Sequence, residues 1–489
     1  MTEKLPDPGS FGAAFEDFVQ AMTEAARRPE SDLAQRVREH LGTDPHELPS
    51  TATSFPATEH PNVQLALDDV LEGADVVGYN ARHLEMFGVS VSALLGGQGV
   101  AGPIALGPVQ YVDVEVGDGR VVQCVSAGLF LARHGDAAVA LVMSRGERPY
   151  GSHTIKLEGI SPGRGAIEAL FSDLRDAMRE HNVFRGKVIS LHQGDDRSVT
   201  VRYHQLPDVS GAQVILPEGT LGRIERHSLG LAQHAAELRD AGRDLKRGIL
   251  LHGPPGTGKT LTIRYLVGAM PGRTTILLTG RGLGLIEHAL AIARELAPAT
   301  VVFEDIDLVA AERTMPMAHG GPLFDLLNQM EGLDADADLL FLLTTNRPDI
   351  VEPALAARPG RIDLAVEIPL PDANAREQLL DLYANDIELD AEKMAELIER
   401  TESTSGAFIK ELMRQAALRA AMADREAETA DVLDALGELL GDRSLLTRRL
   451  LGQPADGAAA EAPAAPPFPA MLHALGAAGL PIPPGFGST

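Results

Sequence analysis

The chain has 489 residues, 44% of them hydrophobic and 23% charged. This is the balance of a soluble protein with room for roughly two to four domains. Sixty-nine acids against 43 bases give a formal net charge of -26, which opposes general binding to nucleic acid or to anionic membranes. With only one cysteine, Cys124, an intrachain disulfide and a cysteine metal cluster are both excluded.

Tryptophan is absent and aromatics make up 4% of the chain, so aliphatic side chains must build the cores. No apolar run approaches the ~18 residues that a membrane span needs. The first residues lack the charged-then-apolar layout of a signal peptide. A cytoplasmic protein without a membrane span is expected.

Residues 1–57 are polar and broken by Pro and Gly, with one amphipathic stretch near Phe11–Arg28. They read as a helical or flexible N-terminal segment. Residues 58–205 read as a mixed α/β domain. PVQYVDVEV, VVQCVSAGLFLAR and AAVALVM look like consecutive strands separated by the turns DGR and RHGD. GAIEALFSDLRDAMREH has helical spacing, and VFRGKVISLH and SVTVRYHQL look like strands again. Cys124 falls within a strand, where a buried, inert thiol is expected.

Residues 206–371 form a second α/β region, and 372–452 are Ala- and Leu-rich with helical periodicity. Residues 453–489 are dense in Pro, Ala and Gly, without Lys or Arg. They read as a disordered tail in which MLHALGAAGL could dock as a helix.

The strongest motif lies in RGILLHGPPGTGKTLTIRYLVG, where the spacing predicts a strand, a glycine loop and a helix. Gly253-Pro254-Pro255-Gly256-Thr257-Gly258-Lys259-Thr260 fits G-x-x-x-x-G-K-[ST], and Leu261 continues into the helix. Glycines let several backbone N–H groups turn toward one anion, and the helix adds its positive end. Lys259 would reach the β- and γ-phosphates of ATP, and the Thr260 hydroxyl would ligate Mg²⁺. The fold class expected is α/β: a three-layer P-loop nucleotidase core with a C-terminal helical lid, preceded by the mixed α/β region.

TVVFEDIDLVA ends an apolar run in three acids, Glu304, Asp305 and Asp307. Thr300–Phe303 is expected to be a buried parallel strand beside the phosphate-loop strand. Its acids would then face the Mg²⁺ and the γ-phosphate.

With LLNQMEGL (326–333), TTNRPD (344–349), ARPGRID (357–363) and SGAFIKELMRQAALRA (405–420), these motifs resemble, in order, those of the AAA family of ATPases. The likeness covers roughly Asp208–Leu440. It implies that Asn346 senses the γ-phosphate and orients water. It implies that Arg358 and Arg361 are fingers acting on a neighbouring subunit's nucleotide, and that Gly406 and Ala407 close the lid. Arg313 matches a frequent Arg after the acidic strand. A homo-oligomeric ring, a hexamer, is implied, working on a protein client or adaptor chosen by the N-terminal region, and no nucleic-acid partner is expected.

Two departures stand out. The family's usual Asp-Glu order is reversed here to Glu304-Asp305. By position Glu304 takes the Mg²⁺ side and Asp305 polarises the water. Alternatively Asp305 stays with the metal while Asp307 or Glu304 handles the water. The reversed order is similar to one branch, the chaperones of mitochondrial respiratory-complex assembly. The stretch LLTGRGLGLIEHALAIARELAP, where many members carry an aromatic pore loop, is short and has no aromatic. Arg281 and Leu283 alone could project into a channel. A slow nucleotide-dependent scaffold is therefore the rival to a remodelling motor. The ARPGR segment carries one more Ala than the usual spacing, and no H-E-x-x-H occurs, which excludes a fused zinc protease of that type.

Overall fold

The computed structural model describes residues 15–16, 18–19, 31–80, 89–96, 104–146, 154–194, 198–279, 284–308, 329–330, 337–349, 351 and 362–441. The chain divides into two compact units. One comprises Met1–Gly253 and Gly258–Ile368; the other comprises Pro254–Thr257 and Pro369–Thr489. Among the described residues no helix is long and apolar enough to cross a membrane.

The first unit opens with α1 (Asp32–Leu41), capped by the Ser31 side chain. Then come β1 (Ser50–Pro56), α2 (His60–Val70), β2 (Asp75–Asn80), β3 (Ala105–Gly107) and β4 (Gln110–Glu115). β5 (Val121–His134), β6 (Ala137–Gly146), β7 (Thr154–Ile160) and α3 (Ala166–Glu180) follow. The strands form one sheet in the order β1-β7-β6-β5-β2-β3, with β4 paired to β5. Every pairing in it is antiparallel.

α3 buries Ile167, Leu170, Phe171, Leu174, Ala177 and Met178. That spacing places one apolar stripe on the sheet. Residues 32–57 belong to this same body, which corrects the reading of 1–57 as a separate segment. Leu33, Ala34, Val37 and Leu41 are buried in its core, and β1 zips onto β7 from Ser50↔Ile160 to Pro56↔Thr154.

A second sheet follows, built from β8 (Val188–Gln193), β9 (Val199–His204), β10 (Arg247–His252), β11 (Thr274–Thr279), β12 (Ala299–Glu304), β13 (Leu339–Thr345) and β14 (Leu364–Glu367). Its order is β14-β10-β13-β12-β11-β8-β9. The β8–β9 pair is antiparallel and the other pairings are parallel. The boundary at 205 is thereby corrected to before residue 188, because β8 bonds to β11 at Val188–Ser190.

Parallel strands are buried on both faces and so read as unbroken apolar runs. All seven residues of β13, LLFLLTT, are buried. Leu339, Phe341 and Leu343 point into one core with α6 (Ile286–Glu295). Leu340 and Leu342 point into the other, with α4 (Thr220–Gln233) and α5 (Lys259–Gly268). The period-2 alternation of a strand thus serves two helical layers. At the opposite end of these strands the buried Arg273 guanidinium bonds Asp338 Oδ1 at 2.7 Å and the Ala299 carbonyl at 2.9 Å. It ties the starts of β11, β12 and β13 together.

The second unit carries α7 (Ala373–Ala384), α8 (Ala391–Arg400), α9 (Gly406–Met422) and α10 (Thr429–Leu440). The side chains of Asp372, Asp390 and Ser405 cap the first three. Each satisfies an amide that the helix leaves open. α9 buries Phe408, Ile409, Leu412, Met413, Ala416 and Ala420 and packs on α7 and α10.

Candidate functional site

β10 leads into the glycine loop, and α5 begins at Lys259. Gly253 has φ 144°, and a Cβ there would lie 2.1 Å from the Ile368 carbonyl oxygen, so only glycine fits. Gly258 has φ 104°, a conformation side chains disfavour. Lys259 is buried, with its Nζ donating to the Gly253 carbonyl at 2.8 Å. Burial pulls its ammonium down to about 8, opposed by Asp305 and Asp307. A desolvated cation at the positive end of a helix is electrostatically costly alone and is suited to an anion. Thr260 is exposed and Leu261 half-buried.

In the second unit, Thr257 Oγ1 donates to the Pro254 carbonyl at 2.9 Å. The Gly256 carbonyl accepts the Ala407 N–H at 3.0 Å. A Cβ on Gly256 would come within 2.9 Å of the Ala407 Cβ, and Gly406 starts α9. Pro255 is exposed.

The acidic strand does not lie beside the phosphate-loop strand as expected. β13 sits between β12 and β10. This correction brings Asn346, at the end of β13, between the acids and the phosphate loop in the strand order. Asn346 Nδ2 donates to Asp305 Oδ1 at 3.0 Å. Asp305 takes φ 53°, the left-handed region. Its N–H donates to Thr344 Oγ1 at 2.9 Å, and the Ile306 N–H donates to the Thr344 carbonyl at 3.0 Å. β12 has therefore left its ladder, and the kink turns the Asp305 carboxylate to Asn346.

Asp307 is buried, and one of its two carboxylate oxygens is engaged. Its Oδ1 accepts the Thr345 hydroxyl at 2.8 Å and the Asn346 N–H at 3.1 Å. Through that oxygen it holds the tip of β13 as a strut. Glu304 ends β12 and is half-buried. Thr344 and Thr345 are positioning residues that sequence reasoning passed over, although both lie inside TTNRPD. Arg358, Arg361, Arg313, Arg281 and Leu283 lie outside the described residues, as does the tail.

The family model for ATPases associated with various cellular activities (AAA) matches residues 249–370. The proteasome-activating nucleotidase of Methanocaldococcus jannaschii is 30% identical over 295 residues, covering 57% of this chain and 66% of the relative. That of Thermococcus onnurineus is 32% identical over 233 residues, covering 45% and 58%. That of Thermococcus kodakarensis is 32% identical over 277 residues, covering 50% and 68%. The chain belongs to the AAA family of ATPases, and its second sheet with the flanking helices is that family's P-loop α/β fold. It spans 58% to 68% of the length of these relatives.

Proposed function

We propose that this chain binds Mg²⁺ and ATP and hydrolyses ATP to ADP and phosphate in the cytoplasm. It does so as a subunit of a homo-oligomeric ring, a hexamer, that remodels or moves a protein client. The observation that carries this reading is the Asp305–Asn346 hydrogen bond at 3.0 Å, on a carboxylate held at φ 53°. A carboxylate in that position accepts a proton from water as the water oxygen bonds to the γ-phosphorus. The bond from that phosphorus to the bridging oxygen breaks, and ADP takes the leaving electrons.

Asn346 fixes the carboxylate and supplies an amide beside the water. Lys259 answers charge on the transferring group, and the backbone N–H groups of the glycine loop hold the phosphates. Thr260 and Glu304 would hold Mg²⁺, which supplies charge neutralisation at the phosphate oxygens when bound. The donor set of hydroxyl and carboxylate oxygens suits that hard cation. Arg358 and Arg361 are assigned to the neighbouring subunit's nucleotide. The relatives' name makes them nucleotidases that activate a proteasome. Nucleotide turnover is taken over in this reading, and the proteasome is not.

One observation favours a second reading, a slow nucleotide switch that orders a partner complex and so resembles the complex-assembly chaperones. The segment GRGLGL has no aromatic side chain to grip a threaded polypeptide. Turnover per subunit, followed on dilution beside Arg361→Ala, separates the two. The ring motor requires specific activity to fall on dilution and to vanish in the variant. Turnover indifferent to both leaves the slow switch.

A further inference from the structure

Where the antiparallel sheet meets β9 and α6 there is a cleft of about 640 Å³. An adjoining cavity of about 250 Å³ shares Phe55, Pro56, Thr58, Val199 and His288 with it. Consecutive residues of two strands line the larger cleft, Val112–Glu115 of β4 and Val199–Val201 of β9, the latter preceded by Ser198. Side chains alternate across a strand, so an unbroken run of lining residues means that the strand edge borders the cleft.

Both edges carry open backbone groups. β9 ends its sheet, with β8 as its one neighbour. The Gly194 N–H bonds to the Ser198 carbonyl, which sets the phase of the ladder. Val199, Val201 and Tyr203 fall in its non-bonded pairs, opposite Gln193, Leu191 and Ile189. Their N–H and C=O groups therefore face away from β8. The same argument, from Val116 N–H to the Arg120 carbonyl, turns the amides of Asp113 and Glu115 away from β5.

Two further features point to an occupant. Tyr203 lines the cleft, and its hydroxyl, closed off from solvent, has no hydrogen-bond partner among the described residues, a state that native interiors rarely leave unanswered. Among the described residues, two carboxylates, Asp113 and Glu115, stand on the wall against one Lys or Arg, Arg145. Phe55, Pro56 and Phe184 supply apolar surface.

We propose that this cleft takes an extended, basic polypeptide segment of a partner protein as an eighth strand on the free edge of the seven-stranded sheet at β9. Main-chain bonds to Val199, Val201 and Tyr203 give affinity. Asp113 and Glu115 select basic side chains. Along β4 the lining run of four residues is about 13 Å long at ~3.3 Å per residue, enough for a short strand. The inference deepens the client-handling reading by naming the chemistry that the N-terminal side would recognise.

The test is fluorescence anisotropy on the full chain without nucleotide, so that its failure leaves ATP hydrolysis untouched. Three labelled heptapeptides serve as probes: one alternating valine with lysine, the same peptide N-methylated at alternate backbone nitrogens, and one alternating valine with glutamate. The valine–lysine peptide should bind. N-methylation should weaken it about tenfold or more, as loss of main-chain bonds requires, and the glutamate peptide should bind more weakly still. Val201→Pro, which deletes an outward N–H at an edge where proline is tolerated, should abolish binding. Asp113→Lys with Glu115→Lys should shift preference to the glutamate peptide. Equal binding of all three peptides, or binding of none, overturns the proposal on the unaltered protein, whether or not the variants fold.

Discussion

Asn346 Nδ2 donates to Asp305 Oδ1 at 3.0 Å, while the Asn346 N–H donates to Asp307 Oδ1 at 3.1 Å. One residue at the tip of β13 thus reads two carboxylates of different kinds. Asp305 is half-buried and aimed by the amide side chain. Asp307 is buried and serves as scaffold. Two acids in one short run thus have different partners.

Asp305→Asn is the variant that separates chemistry from conformation. Asparagine tolerates the left-handed backbone nearly as well as aspartate, so φ 53° is kept, and its carbonyl still accepts from Asn346. Turnover should fall by about 10²-fold or more, the usual share of general-base catalysis, while ATP affinity stays within a few-fold. Glu304→Gln should instead raise the Mg²⁺ concentration needed for half-maximal ATP binding. An Asp305→Asn chain that no longer binds ATP would overturn these assignments.

Asp307→Ala addresses the strut. Two donors, the Thr345 hydroxyl and the Asn346 N–H, would lose their common acceptor. Leaving a buried donor such as the Thr345 hydroxyl unanswered costs about 1–3 kcal/mol, and the half-buried Asn346 N–H less. The variant should melt earlier and turn over more slowly, because the tip of β13 also aims Asn346. Thr345→Val, which removes one of those donors together with its hydroxyl, should be milder on both counts. A variant with unchanged melting and halted turnover would return Asp307 to the chemistry.

The parallel strands were legible because full burial writes itself as unbroken apolar runs, and the phosphate loop because its glycines have one physical use. Strand order was not legible. Nothing in TVVFEDIDLVA says that LLFLLTT will insert between it and RGILLH, since order is set by crossovers packing in three dimensions. The hairpin at 188–204 carries the same alternation whichever sheet it joins, and Val188–Ser190 bonding to β11 decided the matter. The left-handed turn at Asp305 is not fixed by residue type: aspartate visits that region more often than most residues, and here the bonds to Thr344 select it.

Glu59 gives a pH prediction. Burial raises its carboxyl to about 7, with the Asn62 amide opposing and Glu295 adding to the rise. An unfolded glutamate titrates near ~4.3. Below that value both states are protonated and Glu59 costs nothing. As pH rises toward 7 the unfolded state ionises and the folded state does not, so stability falls. Above 7 the full cost, roughly 4 kcal/mol, is present. Glu59→Gln keeps an acceptor for Asn62 Nδ2, now bonded at 2.7 Å, and removes the titration. Its melting temperature should match the unaltered chain near pH ~3.5 and exceed it by several degrees near pH ~8.5. An offset that does not change with pH would refute the assignment.

Lys259 would make the proposed nucleotide site a proton acceptor. Its ammonium is held down to about 8 by burial, against the pull of Asp305 and Asp307. Phosphate oxygens placed beside Nζ stabilise the charged form and raise that value. Near pH 8 about half of the lysines are neutral before binding and charged after it, so ATP binding should take up about half a proton per site. Near pH 6.5 the lysine is already charged, and its uptake should disappear. Titration calorimetry at each pH, in buffers of low and high ionisation enthalpy, reads the number directly. Lys259→Arg, charged at both pH values, should abolish the difference between buffers at pH 8 even where it weakens affinity. Uptake that persists in this variant would assign the proton to another group and would leave Lys259 charged before the nucleotide arrives.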